Sequence, residues 1–151
     1  MKKLLLLAAL AAFATTAVAD EHEVNVQAHQ DYRHHLMEVI GGNMAAIGDI
    51  LKNRLPHTAN IAVHAQSIHL ASGLVESAFR AKALEGDKTE SLPAIWEQWE
   101  EFVAAAKATE EAAANLAEVA EGGDPAAIGG AMRNLGRTCG SCHRTFRVQK
   151  D

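Results

Sequence analysis

GGDPAAIGGAMRNLGRTCGSCHRTFR, residues 122–147, contains the signals for how one helix begins and which face it buries. Gly122 and Gly123 stand just past the end of a preceding helix. Asp124 takes the N-cap position and Pro125 the first helical position, where its missing N–H costs nothing. Apolar or small residues then recur at Ile128, Ala131, Leu135, Thr138, Cys142 and Phe146, in steps of three and four, which predicts a helix with one buried stripe. The same alternation occurs three times upstream. It runs through Met37, Ile40, Met44, Ile47 and Leu51. It returns through Ile61, Ala65, Ile68, Ser72, Val75 and Phe79. It returns again from Ile95 through Trp99, Phe102, Ala106, Thr109, Ala113 and Leu116 to Ala120. Leu55-Pro56-His57-Thr58 separates the first two helices and offers Thr58 as a cap. The polar run from Glu85-Gly86-Asp87 to Ser91-Leu92-Pro93 separates the second and third and offers Ser91. Residues 20–27 are expected to fray. Strand formers are sparse, with aromatics at 5%. The expected fold is all-α, an antiparallel up-down four-helix bundle.

The fourth stripe carries Cys139-Gly140-Ser141-Cys142-His143. C-x-x-C-H is the attachment pattern of a c-type haem. Two thiols add across the two vinyl groups, and the histidine that follows lies under the iron. On a helix Cys139, Cys142 and His143 are i, i+3 and i+4, so all three share one face. A structural disulfide across two residues would constrain almost nothing in the unfolded chain. A thioredoxin-like C-x-x-C opens a helix that follows a strand, whereas this one lies near the end of a helical chain. The remaining alternatives are a haem-free C-x-x-C disulfide redox protein and a haem-free helical binding protein. The second leaves both cysteines and His143 without a role. One motif predicts one covalent haem c and one iron, with His143 as the proximal axial ligand.

Attachment of this kind needs an exported chain, and the other end of the sequence predicts one. Residues 1–19, MKKLLLLAALAAFATTAVA, have a basic start, an apolar run and a small-residue close, the pattern of a signal peptide cleaved after Ala19. The apolar run from Leu4 to Phe13 is too short for the ~20 residues a membrane span needs. The mature chain is therefore expected to be residues 20–151, a single domain in the periplasm with no membrane span. Losing Lys2 and Lys3 leaves 12 basic and 19 acidic residues, taking the net charge from −5 to −7. That balance disfavours nucleic acid as a partner and leaves basic proteins and small molecules.

A chain of this size that ends in Cys139-x-x-Cys142-His143-x-x-Phe146-Arg147 resembles the cytochrome c′ family, including its low-spin, methionine-ligated relatives. The first helix agrees, with Tyr32-Arg33-His34-His35-Leu36-Met37 followed by Ile40-Gly41-Gly42-Asn43-Met44. The resemblance covers nearly all of the mature chain. It implies Cys139 and Cys142 as the thioether cysteines and His143 as the proximal ligand. It implies Arg147 as a proximal-side arginine, Arg33 as a partner of a haem propionate, and Met37 as the distal residue. An aliphatic or aromatic residue at the distal position leaves the iron five-coordinate and high-spin. A methionine there coordinates in some members and stays off the iron in others. Two functions follow: a one-electron carrier serving redox partner proteins, or a high-spin protein that binds nitric oxide or carbon monoxide. Neither is an enzyme, and no Ser-His-Asp set, phosphate loop or paired-carboxylate site stands out. The resemblance also implies a homodimer through the first two helices, whose outer faces carry His34, His35, Ala45, Ala62 and Ala71. His22, His29, His34, His35, His57, His64 and His69 lack the spacing of a second metal set and are expected mostly at the surface. Trp99 is expected in packing and Trp96 partly exposed.

Overall fold

Six helices are present in the computed structural model, which describes residues 25–85 and 89–149. They are α1 (Val26–Asn53), α2 (Asn60–Ser72), α3 (Val75–Phe79), α4 (Ala94–Glu97), α5 (Trp99–Glu121) and α6 (Pro125–Phe146). The leader at 1–19, His22 and the turn residues Gly86 and Asp87 lie outside the described residues. With α3 continuing α2 and α4 leading into α5, the six form the four arms of the expected bundle. The breaks in the second and third arms are not in the sequence pattern. Gly73 and Leu74 separate α2 from α3. A Cβ on Gly73 would come within 3.2 Å of Glu110 Oε1 on α5. Gln98 interrupts the third arm at φ −125°, ψ 51°.

The helix starts divide in the same way. Asp124 caps α6 as expected, its side chain accepting from Ala126 N at 3.0 Å with Pro125 in the first turn. Asn25 caps α1 by accepting from Ala28 N at 3.0 Å, so the chain is already helical at Val26 and Gln27 and does not fray there. Thr58 and Ser91 do not cap. Ala59 and Pro93 hold those positions without a side-chain bond. Thr58 gives only its carbonyl, to Ile61 N at 3.1 Å. Ser91 instead forms an antiparallel bridge with Arg147. Replacing Asp124 with alanine is expected to cost about 1 kcal/mol. The check is a lower urea midpoint at unchanged slope; an unmoved midpoint would show that the cap contributes nothing.

The arms pack in sequence, α1 on α2, α2 on α5 and α5 on α6. Alanine makes the middle contact close: Ala65 and Ala113 are fully buried, with Ala106, Ala112, Ala117 and Ala120 nearly so. Ile47, Ile61, Ile68, Ile95, Leu116 and Leu135 supply the bulk of the core. Ala71, expected on an outer face, is in the core. No comparable contact joins α1 to α6, so the bundle stays open along that side. The buried face of α1 is rotated by about one residue from the expected stripe. Leu36, Ile40, Ile47 and Ile50 are buried, while Met37, Met44 and Leu51 are half-buried at the edge of the core. The cause is the uneven cover of α1, which packs mainly on α2 and less on α3.

The open end is fastened by short contacts. Leu92 N donates to Phe146 O at 3.0 Å and Val148 N to Glu90 O at 2.8 Å, sewing the loop before α4 to the end of α6. Phe102 lies 5.1 Å from Phe79 and 5.3 Å from Phe146, edge-on to the latter. These spacings are favourable for aromatic pairs. They tie α3, α5 and α6 together three residues beyond His143.

Candidate haem site

The buried stripe of α6 is closed at its ends and half-open between them. Ile128, Ala131, Leu135 and Phe146 are buried, whereas Thr138, Cys139, Cys142 and His143 are only half-buried. Both cysteines rest against the core while keeping an exposed edge. They carry no disulfide. Burial pushes the Cys139 thiol up. Burial, aided by the charge of Cys139, pushes Cys142 up to about 11. Redox-active C-x-x-C pairs need the opposite, a thiol shifted down so that thiolate is present at neutral pH. These two stay protonated, as the addition of a thiol S–H across a vinyl group requires. His143 is shifted down by its burial and by the charge of Arg147, against the pull of Glu90. Its imidazole is therefore neutral near pH 7, the form that binds a metal.

Arg147 closes α6. Its N–H donates to His143 O at 3.1 Å, and its side chain turns to Glu90, with Nε 2.6 Å and Nη2 2.5 Å from Oε2. The sequence offered no sign of Glu90, which reaches the site across 57 residues; only its place in a loop before the third arm could have drawn attention to it.

Across the open side stands α1. Met37, Gly41, Met44, Gly48 and Leu51 repeat in steps of four and three, so they form one row. Met37, Met44 and Leu51 are half-buried, and a Cβ built on Gly41 or Gly48 meets nothing within 4 Å. The row is apolar and lies along the edge of the core. Half-buried thiols and a neutral imidazole on α6, a half-buried apolar row on α1 and no extensive packing between the two helices are the lining a flat apolar macrocycle needs. The residues therefore fit a haem held on α6.

Arg33, one turn before Met37, is 4% exposed. Its Nε donates to Ala78 O at 3.0 Å, Nη1 to Ala83 O at 3.2 Å and Nη2 to Ala81 O. The guanidinium lies over Phe79 at 4.8 Å and Trp96 at 5.3 Å. Desolvation lowers its pKa. Gln30, a turn earlier, donates to Ala83 O at 3.2 Å and Glu85 O at 2.9 Å. So Cys139, Cys142, His143 and Arg147 come together at the end of α6, and Arg33 and Met37 on α1; among the described residues no hydrogen bond or ion pair joins the two sets. Trp96 and Trp99 are both half-buried, and Trp96 Nε1 donates to Phe79 O at 2.8 Å. The other described histidines are exposed or half-buried. His34 pairs with Glu38, His64 Nδ1 meets Asn43 Oδ1 at 2.8 Å, and His69 Nδ1 meets Glu110 O at 3.2 Å. Among the described residues no group of three His, Cys, Asp or Glu side chains could hold a further metal. No described helix is long and apolar enough to cross a membrane.

Comparison with known proteins agrees with this geometry. Residues 28–147 match the family model described as Cytochrome C′. The cytochrome c′ of Rhodospirillum rubrum is 38% identical over 148 residues, spanning 98% of this chain and 99% of the relative. A cytochrome c-554 of Cereibacter sphaeroides is 41% identical over 123 residues, spanning 79% of each. The solved structure of cytochrome c prime from Shewanella frigidimarina superposes with a TM-score of 0.76 at 28% identity, covering 83% of this chain and 98% of that one. A nitric oxide complex of a variant cytochrome c prime from Alcaligenes xylosoxidans superposes at 0.75 with 21% identity, covering 84% and 98%, a likeness of fold. The protein is thus a c-type cytochrome with a single attachment motif for covalent haem c, and the chain belongs to the cytochrome c′ family.

Proposed function

We propose that this cytochrome carries single electrons in the periplasm, with His143 and Met37 as the two axial ligands of its iron. Haem c supplies a reversible one-electron couple when bound. The residues do the rest. Cys139 and Cys142 would hold the macrocycle by thioethers, and His143 would offer a neutral ring nitrogen from α6. Met37 would offer its thioether to the iron from α1. Methionine–histidine ligation favours the reduced state and raises the potential. Met44 and Leu51 continue the apolar edge beyond Met37. Arg33 uses one N–H from each guanidinium nitrogen on backbone carbonyls, which leaves the second N–H of Nη1 and of Nη2 for a propionate. The observation that carries this reading is the half-buried methionine on α1, at the head of an apolar row along the edge of the core.

A second reading rests on Gly41. It stands one turn beyond Met37 with open space where a Cβ would be, so the methionine side chain has room to swing aside. A displaced Met37 leaves a five-coordinate iron open to nitric oxide or carbon monoxide. Export rests on the leader at 1–19, and removal of that leader is part of this proposal. A homodimer fits the apolar residues left exposed on the first two arms: Tyr32 and Val39 on α1, and Val63 and Leu70 on α2.

The test is the optical spectrum and intact mass of protein purified from cells with haem-attachment machinery. Sharp α and β bands after reduction, with the mass of one haem added to residues 20–151, are expected. A broad high-spin visible band that shifts with nitric oxide would move the function to gas binding. A mass two hydrogens below the bare chain, with no Soret band, would mean a disulfide protein.

A further inference from the structure

The end of α6 is held by two kinds of contact that can be separated. The first is main chain. Val148 N donates to Glu90 O at 2.8 Å and Leu92 N to Phe146 O at 3.0 Å, with Ser91 bridged to Arg147. The second is charge. Arg147 Nε and Nη2 both donate to Glu90 Oε2, at 2.6 and 2.5 Å. The main-chain contacts need no particular side chain at either position. The ion pair is part-exposed, with 43% of the Arg147 side chain and 38% of the Glu90 side chain accessible. Pairs so exposed add little to stability. The fold alone therefore gives no strong reason for the two charges.

Their place does. Arg147 stands one turn beyond His143, with its N–H on His143 O at 3.1 Å, and Gln149 Nε2 donates to the same carbonyl at 2.9 Å. Besides its burial, two charges act on the imidazole: that of Arg147 pushes its pKa down and that of Glu90 pulls it up. An iron bound at His143 would feel both charges with the same signs, because its ferric form carries one more positive charge than its ferrous form. A nearby cation favours the ferrous form and a nearby anion the ferric form. We propose that Glu90 sets the reduction potential of the haem iron through Arg147: its carboxylate holds the guanidinium at the end of α6 and cancels its charge, which keeps the potential below the value an uncompensated arginine would give. Glu90 is thus a positioning residue that acts through Arg147. The proposal rests on haem attachment with His143 as an axial ligand, and not on what occupies the sixth position.

The test is the ferrous-to-ferric ratio of the haem-loaded protein at a fixed electrode potential, read from its spectrum; one electron passes from the electrode to each ferric molecule reduced. Glu90→Gln keeps the shape of the side chain and the main-chain contacts and removes one negative charge. The ratio is expected to rise, by roughly threefold or more at low salt, and by less at high salt, where exposed charges are screened. Arg147→Gln is expected to lower the ratio by a similar factor, and the double variant to return to within about twofold of wild type. A clasp that matters only for structure predicts another pattern. Loosening either side would let water reach the haem, which favours the ferric form and lowers the ratio in both single variants and in the double. A fall in Glu90→Gln, or no change in either single variant, overturns the proposal. Glu90→Asp keeps the charge on a shorter arm and is expected to stay close to wild type; a shift as large as that of Glu90→Gln overturns the role of charge. His143→Gly checks the ligand separately. Its spectrum should change and added imidazole should restore it. An unchanged spectrum would overturn the ligand assignment and the proposal with it, a failure read in a different variant from the first.

Discussion

Met37→Ala is expected to turn the oxidised, haem-loaded protein from a low-spin to a high-spin spectrum and to open it to carbon monoxide. The methionine heads the apolar row on α1 and is only half-buried, so the core does not consume its side chain. Removing it should lower stability by about 1 kcal/mol, less than the 2–5 kcal/mol of a fully buried methionine. The effect on the iron should be much larger. A gas that must displace a bound thioether in the wild type finds the position free in the variant. Its affinity should rise at least about tenfold, or ~1.4 kcal/mol. The control is Met44→Ala. Met44 stands in the same row two turns on, with similar exposure, and its loss should leave the spectrum low-spin. An unchanged spectrum in Met37→Ala, or the same change in both variants, would mean that Met37 only packs.

What could be read in the sequence follows from how local each feature is. The α6 signals lie within 26 residues, and most of them are seen: the Asp124 cap, the Pro125 start, and the buried Ile128, Ala131, Leu135 and Phe146, while Thr138 and Cys142 of the same stripe are only half-buried. The three-and-four spacing of Cys139, Cys142 and His143 fixes their common face whatever else the chain does. The four arms were legible because alanine-rich periodicity has few other solutions. What failed was set by distant partners. Thr58 and Ser91 have capping side chains, but the neighbouring carbonyls of His57 and Thr58 and the bridge to Arg147 satisfy those turns instead. The break at Gln98 leaves no mark in the stripe. The one-residue rotation of α1 arises because its cover is uneven, and periodicity alone does not say which side is covered. Arg33 is the clearest case. Its sequence context marked a polar residue at the edge of a site, and nothing local says that it is buried on three carbonyls 45 to 50 residues away.

That burial makes Arg33 a polar residue whose loss should cost the fold as much as that of a core side chain. Arg33→Ala would remove the donors from the carbonyls of Ala78 and Ala81, leave Ala83 O to Gln30 alone, and open a void between Phe79 and Trp96. Each buried acceptor left without a partner costs roughly 1–3 kcal/mol, and a charged donor gives the stronger bonds. Against this stands the desolvation of the guanidinium, whose lowered pKa is its sign. The loop carbonyls can also recover some water, because Ala81 is half-exposed. The balance is a loss of about 3 kcal/mol, which lowers the melting temperature by on the order of 10 °C in a domain of this length. Arg33→Lys keeps the charge but has no fork to reach three carbonyls and no plane to stack on the rings, so it should recover less than half. A urea midpoint within ~0.5 kcal/mol of wild type for the alanine variant would show that the loop satisfies itself without Arg33. The consequence for the site follows from geometry. Gln30 and Arg33 lock α1 to the segment from Ala78 to Glu85, and that segment is sewn through Phe79, Phe102 and Phe146 to the end of α6. The lock sets where Met37 stands, one turn on. A destabilised Arg33 variant should therefore also show a mixed-spin spectrum, whereas Asp124→Ala, which loosens only the far end of α6, should keep the low-spin bands.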